Sequence, residues 1–289
     1  MPSNGTVLVI GATGKQGGAV AHALLKKNYM VQALCRNPFS LKAKKLKEIN
    51  VEVIEGNFYN TKTIIKAARY SDAAFFLTTF IDGIAKEAEQ GIKIAESLKE
   101  AGVMHIVYSS VASADKNTGV PHFETKLMVE KRLATLGVPY TIIAPVAFME
   151  NLFSPWSLPE LKKGKISNAY SPNRKLQQIA VEDIGSFAAE IIALGAETHN
   201  KRFEIAGDEI SWLDAADTLS RITGKQINYV NYPIEALKPR SEELYLMTKW
   251  LNCFGYSVDI KKLHEDFPQV GWHTFDKWAR KQDWNNFLK

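Results

Sequence analysis

Gly11, Gly14 and Gly17 recur at three-residue steps in Gly11-Ala12-Thr13-Gly14-Lys15-Gln16-Gly17-Gly18, a spacing that can cradle a pyrophosphate. In a strand–turn–helix unit Gly11 permits the tight reversal, Gly14 lets the backbone approach the phosphates without a Cβ in the way, and Gly17 lets helix and strand pack closely. The helix N-terminus then offers free N–H groups and a partial positive charge. Glycine triplets also occur in ordinary turns, and the spacing here is Gly-x-x-Gly-x-x-Gly rather than Gly-x-Gly-x-x-Gly, so the flanks decide the reading. Thr6-Val7-Leu8-Val9-Ile10 is a short β-branched run suited to a strand buried on both faces, and 16–27 carries a helical apolar pattern. Gly11, Ala12, Thr13, Gly14, Lys15, Gln16 and Gly17 are therefore expected to hold a dinucleotide.

Two further positions bear on which dinucleotide. An acidic residue at the end of the second strand of such folds accepts hydrogen bonds from the adenosine ribose of NAD. Here that place holds Arg36, whose planar fork can pair with a 2′-phosphate, with Lys42 and Lys44 close behind. NADP(H) is expected over NAD(H), with NAD(H) still open, since an acidic residue is one of several ways to hold it. Asn57 follows the third strand and can both donate to and accept from adenine, or simply serve the turn Gly56-Asn57.

These residues need a scaffold that brings strand ends together. Strands are expected at 30–34, 51–54, 73–78, 105–109 and 140–144, separated by helical patterns over 41–49, 61–69, 84–101 and 122–136. Alternation of this kind implies right-handed crossovers and an α/β, doubly wound parallel sheet, the NAD(P)-binding Rossmann fold, with ligands at the carboxyl ends of its strands. From Pro145 the alternation breaks down, with prolines at 145, 155, 159 and 172 and a turn-rich stretch over 162–174. The division expected is a dinucleotide-binding domain over 1–150, rejoined by 176–206, and a smaller mixed C-terminal lobe formed by 151–175 and 207–289. Ser211 caps a helix running to Thr223 and closed by Gly224, and short helices with Trp250, Trp272, Trp278 and Trp284 follow.

Composition narrows the classes of function. The 289 residues are 46% hydrophobic and 23% charged, enough to bury a large core. A balance of 36 basic against 31 acidic residues, net +5, carries no demand for a polyanionic partner. Lys42, Lys44, Lys45 and Lys47 fall on one helical pattern and read as a solvated face, and no basic stretch is interleaved with stacking aromatics. Direct nucleic-acid binding is not expected. Cys35 and Cys253 lie far apart with no metal-ligand spacing, and no apolar run reaches membrane length. A cytoplasmic protein without a metal site or membrane partner is expected.

Gly-Ala-Thr-Gly-Lys-Gln-Gly-Gly at 11–18, Arg36-Asn37-Pro38, His122-Phe123-Glu124-Thr125-Lys126, Gly137-Val138-Pro139-Tyr140-Thr141 and Phe148-Met149-Glu150-Asn151-Leu152 together resemble the NmrA-like family, an atypical branch of the short-chain dehydrogenase/reductase superfamily. The resemblance spans nearly the whole chain. It implies that residues 11–16 cradle the pyrophosphate and Arg36 the 2′-phosphate. It places Thr78, Thr79 and Phe80 near the cofactor, Lys126 at the nicotinamide ribose, and Phe148, Met149, Glu150 and Asn151 at the nicotinamide end. Ordinary members of the superfamily carry Tyr-x-x-x-Lys, in which the lysine lowers the phenol pKa from one turn away; this chain has His122 and Lys126. His122 reads either as a structural histidine or as a general acid in place of the missing phenol. Ser109 and Ser110 stand where the superfamily orients substrate, or are turn residues. Phe80, Phe148, Met149 and Trp156 are either an apolar pocket wall or core.

The resemblance implies one of two functions. One is an NADPH-dependent reductase of a small quinone-like or aromatic acceptor, with positioning doing most of the catalysis and water or Lys126 supplying the proton. The other is a catalytically silent NADP(H) redox sensor that binds a regulatory protein partner.

Overall fold

The computed structural model describes residues 4–80 and 83–288. Along the chain β1 (Thr6–Ile10), α1 (Lys15–Lys26), β2 (Met30–Cys35), α2 (Leu41–Glu48), β3 (Glu52–Glu55), α3 (Thr61–Ala68), β4 (Ala73–Leu77), α4 (Ile84–Glu100), β5 (His105–Ser109), α5 (Pro121–Thr135) and β6 (Tyr140–Pro145) alternate as expected. Then come β7 (Ala147–Phe148), α6 (Leu158–Lys162), β8 (Lys165–Asn168), β9 (Lys175–Ile179), α7 (Val181–Leu194), β10 (Lys201–Ile205), β11 (Asp208–Ser211), α8 (Trp212–Thr223) and β12 (Asn228–Asn231). Four helices finish the chain: α9 (Glu242–Cys253), α10 (Ile260–Asp266), α11 (Phe275–Arg280) and α12 (Trp284–Phe287).

The main sheet has seven strands in the order β10-β6-β5-β4-β1-β2-β3. Its β1–β2, β1–β4, β2–β3, β4–β5 and β5–β6 pairs are all parallel. Hydrogen bonds from Asn200 N to Tyr140 O and from Val146 N to Ile205 O, one at each end, set β10 alongside β6 in the same direction. The order reverses between β1 and β4, which makes the carboxyl ends of those two strands the switch point where such sheets bind ligands. Every residue of β1 is buried, as is each of the first four residues of β4, because helices cover both faces.

The chain divides into two compact units, one of residues 1–117, 121–144 and 184–204 and one of 118–120, 145–183 and 205–289. Of the stretch 176–206, residues 184–204 thus lie in the first unit. That unit's core joins Leu8, Ile10, Phe76, Ile94, Ile106, Tyr108 and Val129. The second unit holds a three-stranded sheet, β11-β9-β7, with β9–β11 antiparallel and β7–β9 parallel, and a parallel β8–β12 pair. Its core gathers Met149, Leu152, Leu161, Leu219, Phe275, Trp278 and Trp284.

Capping follows the sequence closely where it is local. Ser211 accepts from Asp214 N to start α8, and Gly224, at φ +67°, closes it in the left-handed region. The strand β8 lies inside the stretch read as turns, and β7, β11 and β12 are strands that periodicity did not show. Each has two to four residues, too few for a period, and β8 exists because β12 supplies its hydrogen-bond partners.

One buried histidine makes stability depend on pH. His105 opens β5 with its ring 4.6 Å from that of His199 and tilted to it by 59°, and Thr141 Oγ1, which donates to Thr198 O at 2.8 Å, accepts from His105 Nε2 at 2.8 Å. Burial, reinforced by the charge of His199, lowers the His105 pKa from 6.5 to about 4. The unfolded chain therefore takes up a proton that the folded chain refuses. The contribution is fully present above pH 6.5 and is lost as pH falls toward 4. Between pH 7 and 4.5, thermal melts of the wild type should lose about 2 kcal/mol more stability than those of His105→Gln. Parallel pH curves would remove this role.

Candidate functional site

The turn between β1 and α1 is built by backbone constraint. Gly11 sits at φ +96°, and Gly14 N donates to Gly11 O at 2.9 Å to close the turn. A Cβ on Gly17 would lie 2.4 Å from Gly11 O and 2.5 Å from Gly11 C, so this first turn of α1 can touch β1 through glycine alone. Gly14 is the N-cap of α1 and, having no side chain, leaves the first-turn amides uncapped; α2 and α3 are capped by Ser40 and Asn60. Ala12 and Gln16 are buried, Thr13 is half-buried and Lys15 is exposed. Gln16 Oε1 is buried with no hydrogen-bond partner among the described residues. A cradle that a Cβ would fill, an open helix start and an orphaned acceptor fit a phosphate-bearing dinucleotide at the switch point.

Arg36 directly follows β2 and is exposed, and no side chain among the described residues pairs with its guanidinium. Lys42 and Lys44 stand exposed on α2. Asn57 is also exposed, but its Oδ1 accepts from Tyr59 N at 3.0 Å while its backbone N–H and C=O both bond Thr63 Oγ1 at 3.1 Å. The turn role weighed for Asn57 is thus present. Its side-chain NH₂ remains as the group that can meet a base.

Beyond β4 the structure assembles a network that the sequence did not show. Lys126 on α5 sends its ammonium hydrogens to Thr78 O (3.2 Å), Thr78 Oγ1 (3.1 Å) and Glu87 Oε1 (2.9 Å). Glu87 lies on α4, is 0% exposed, and also accepts from Thr78 Oγ1 (3.0 Å) and Thr125 Oγ1 (2.7 Å). Thr78 has one hydroxyl proton, which goes to Glu87, so the Tyr108 OH 3.1 Å away is a donor to Thr78 Oγ1. Burial pushes the Tyr108 phenol well above its ordinary value, the Thr78 bond opposing this. Tyr108 therefore does not replace the phenol absent at position 122. The sequence did carry a signal for Glu87: an acidic residue on the α4 stripe that buries Ala88, Gly91, Ile94, Ala95 and Leu98.

His122, one turn before Lys126, packs against Phe80 at 5.2 Å and edge-on to Phe123 at 4.7 Å. Thr79 and Phe80 are exposed beside buried Thr78. Ser109 and Ser110 part company. Ser110 Oγ donates to Glu130 Oε1, which shares its carboxylate with Arg202, and Arg202 also holds Glu204 (2.8 Å) and the Val111 carbonyl (3.0 Å). That hub anchors the loop after β5, so Ser110 is structural. Ser109 Oγ is buried with no partner among the described residues.

The segment after β6 belongs to the second unit and departs from its expected uses. Met149 is fully buried in that unit's core, so its side chain forms no pocket wall. Glu150 accepts from Val181 N (3.1 Å) at the start of α7 and from Trp278 Nε1 (2.9 Å), which commits its carboxylate to the fold. Phe148 is half-buried on β7, Asn151 is exposed, and Trp156 is 74% exposed. The four apolar residues grouped as one wall thus have different surroundings.

A family model described as the NmrA-like family matches residues 3–279. An NmrA-like family domain-containing protein of Dictyostelium discoideum is 28% identical over 268 residues, spanning 86% of this chain and 88% of its own. Among solved structures, NmrA, a negative transcriptional regulator in complex with NAD, has a TM-score of 0.80 at 20% identity, covering 97% of this chain and 95% of that one. An NADPH-dependent quinone oxidoreductase of Escherichia coli complexed with NADPH has a TM-score of 0.79 at 24% identity, covering 95% and 98%. At these identities the structural likeness is one of fold.

Proposed function

The chain belongs to the NmrA-like family, and from that premise we propose that it binds NADP(H) across the carboxyl ends of β1, β2 and β4 and reduces a small quinone-like or aromatic acceptor. The observation that carries this reading is the turn at 11–17, with its uncapped helix start, glycine-only approach and orphaned Gln16 Oε1 at the sheet's switch point. The backbone of Gly11, Ala12, Thr13 and Gly14 and the first amides of α1 hold the pyrophosphate. Arg36 pairs with the 2′-phosphate, and the Asn57 amide donates toward adenine. Thr78, Thr79, Phe80 and Lys126 face the nicotinamide ribose. When bound, a reduced nicotinamide supplies a hydride. Phe80 and His122 offer ring faces to the acceptor, and the chain contributes positioning while the product takes its proton from water.

A second reading is a catalytically silent NADP(H) sensor acting on a regulatory protein. It is favoured by one observation: all three hydrogens of the Lys126 ammonium are already accepted by Thr78 and Glu87, and no phenol stands at position 122. Fluorescence titration with NADPH and NADH, followed by a quinone and dye panel monitored for NADPH oxidation, separates the two. Tight NADPH binding with turnover supports the reductase, tight binding without turnover supports the sensor, and no binding defeats both.

A further inference from the structure

We propose that Glu87 is the positioning residue of this site and acts through Lys126; the inference rests on the NADP(H) reading above. A carboxylate with 0% exposure on the apolar stripe of α4 is costly unless paired, and an apolar pair of the same shape would serve packing at least as well. The pair is retained where α5 meets the end of β4, beside the switch point.

The backbone is arranged to permit it. One turn after Glu87, a Cβ on Gly91 would lie 2.5 Å from Val129 Cγ2 and 2.9 Å from Thr78 Cγ2, so α4 approaches both α5 and the β4 end only because glycine stands there. That approach brings the Glu87 carboxylate to 2.9 Å from the ammonium of Lys126, whose side chain is 11% exposed. Glu87 Oε2 is fixed by Thr125 and Oε1 by Thr78, leaving the carboxylate a single orientation. Lys126 is thus held at the carboxyl edge of β4 with its charge balanced. A cofactor ribose hydroxyl meets an ammonium whose place Glu87 has set. Among the described residues, Tyr108 from β5 bonds Thr78 beside the pair, and its phenol feels the charges of Glu87 and Glu130.

The test is the affinity for NADPH, read by fluorescence titration from pH 6 to pH 9. In the wild type the ammonium lies 2.9 Å from Glu87, and the expected affinity is flat across this range. In Glu87→Gln the ammonium is buried without its counter-ion, which favours its neutral form. Affinity should then fall by about tenfold on going from pH 6 to pH 9, the loss of the ammonium's charge beside the bound cofactor. A folded Glu87→Gln protein with the wild-type affinity and a flat profile would overturn the proposal while leaving the cofactor reading intact. A wild type that does not bind NADPH would overturn both. Should Glu87→Gln not fold, Glu87→Gln/Lys126→Met removes both charges together. Weakening of about tenfold with no pH dependence supports the proposal. Wild-type affinity in that double variant, or its failure to fold, assigns the pair to packing alone and overturns it.

Discussion

Gly17→Ala is expected to abolish measurable dinucleotide binding. The new Cβ would sit 2.4 Å from Gly11 O, 2.5 Å from Gly11 C and 2.8 Å from Ala12 N, all backbone atoms of the turn that follows β1. A side chain could rotate away, but this backbone cannot, because Gly14 N is bonded to Gly11 O and β1 is buried between β2 and β4. Helix α1 must instead move off the sheet, at a cost of about 1–3 kcal/mol in stability. Its first-turn amides leave their positions together, and losing two charge-assisted bonds to phosphate costs about 3 kcal/mol or more in binding. Gly18→Ala is the internal control, since its Cβ would meet only Ala12 O, at 3.2 Å. Titration of the two variants beside the wild type, with thermal melts to count folded protein, checks this. Equal affinity in Gly17→Ala and Gly18→Ala would remove the turn from the binding site.

Arg36→Ala is expected to weaken NADPH by about 1.5–3 kcal/mol, the value of a hydrogen bond to a charged group, and to leave NADH nearly unchanged. Arg36 is exposed, immediately follows β2, and has no ion-pair partner among the described residues, so none of these competes for its fork. Removing it costs the fold little, because an exposed side chain that touches no partner contributes little to stability. The contrast between the two cofactors is the readout. Equal weakening of NADPH and NADH would defeat the 2′-phosphate role, and an unchanged NADPH affinity would pass that role to Lys42 and Lys44. Those two act at longer range from the α2 surface, and their contribution should fade with added salt.

The local units of this protein were legible because their determinants lie next to one another in the chain. Thr6 to Gly18 carries strand, turn and helix start in thirteen consecutive positions. Ser211 and Gly224 mark both ends of α8. Harder to see were groups whose role depends on a partner far along the chain. Glu150 bonds residues 31 and 128 positions away, so nothing near it in sequence marks it as a structural anchor rather than a cofactor contact. Met149 follows the half-buried Phe148 yet is fully buried, because the residues that cover it, Phe275 and Trp278 among them, come from the end of the chain. Asn57 suits either a turn or an adenine contact by its type, and its Asx bond to Tyr59 N lies within reach of the sequence.

By itself, the sequence determined the doubly wound sheet, the order of its elements, the glycine turn at 11–17 and the cation at the end of β2. Each depends on residue size, periodicity and backbone freedom acting over a dozen residues or fewer. The tertiary structure alone decided how Lys126 is used. Its three hydrogens could have gone to solvent, to a ligand or to the interior, and only the approach of α4 through Gly91 brings Glu87, 39 residues away, into range. A charge has no periodicity, and its meaning is set by whichever opposite charge the fold brings within a few ångströms and shields from water.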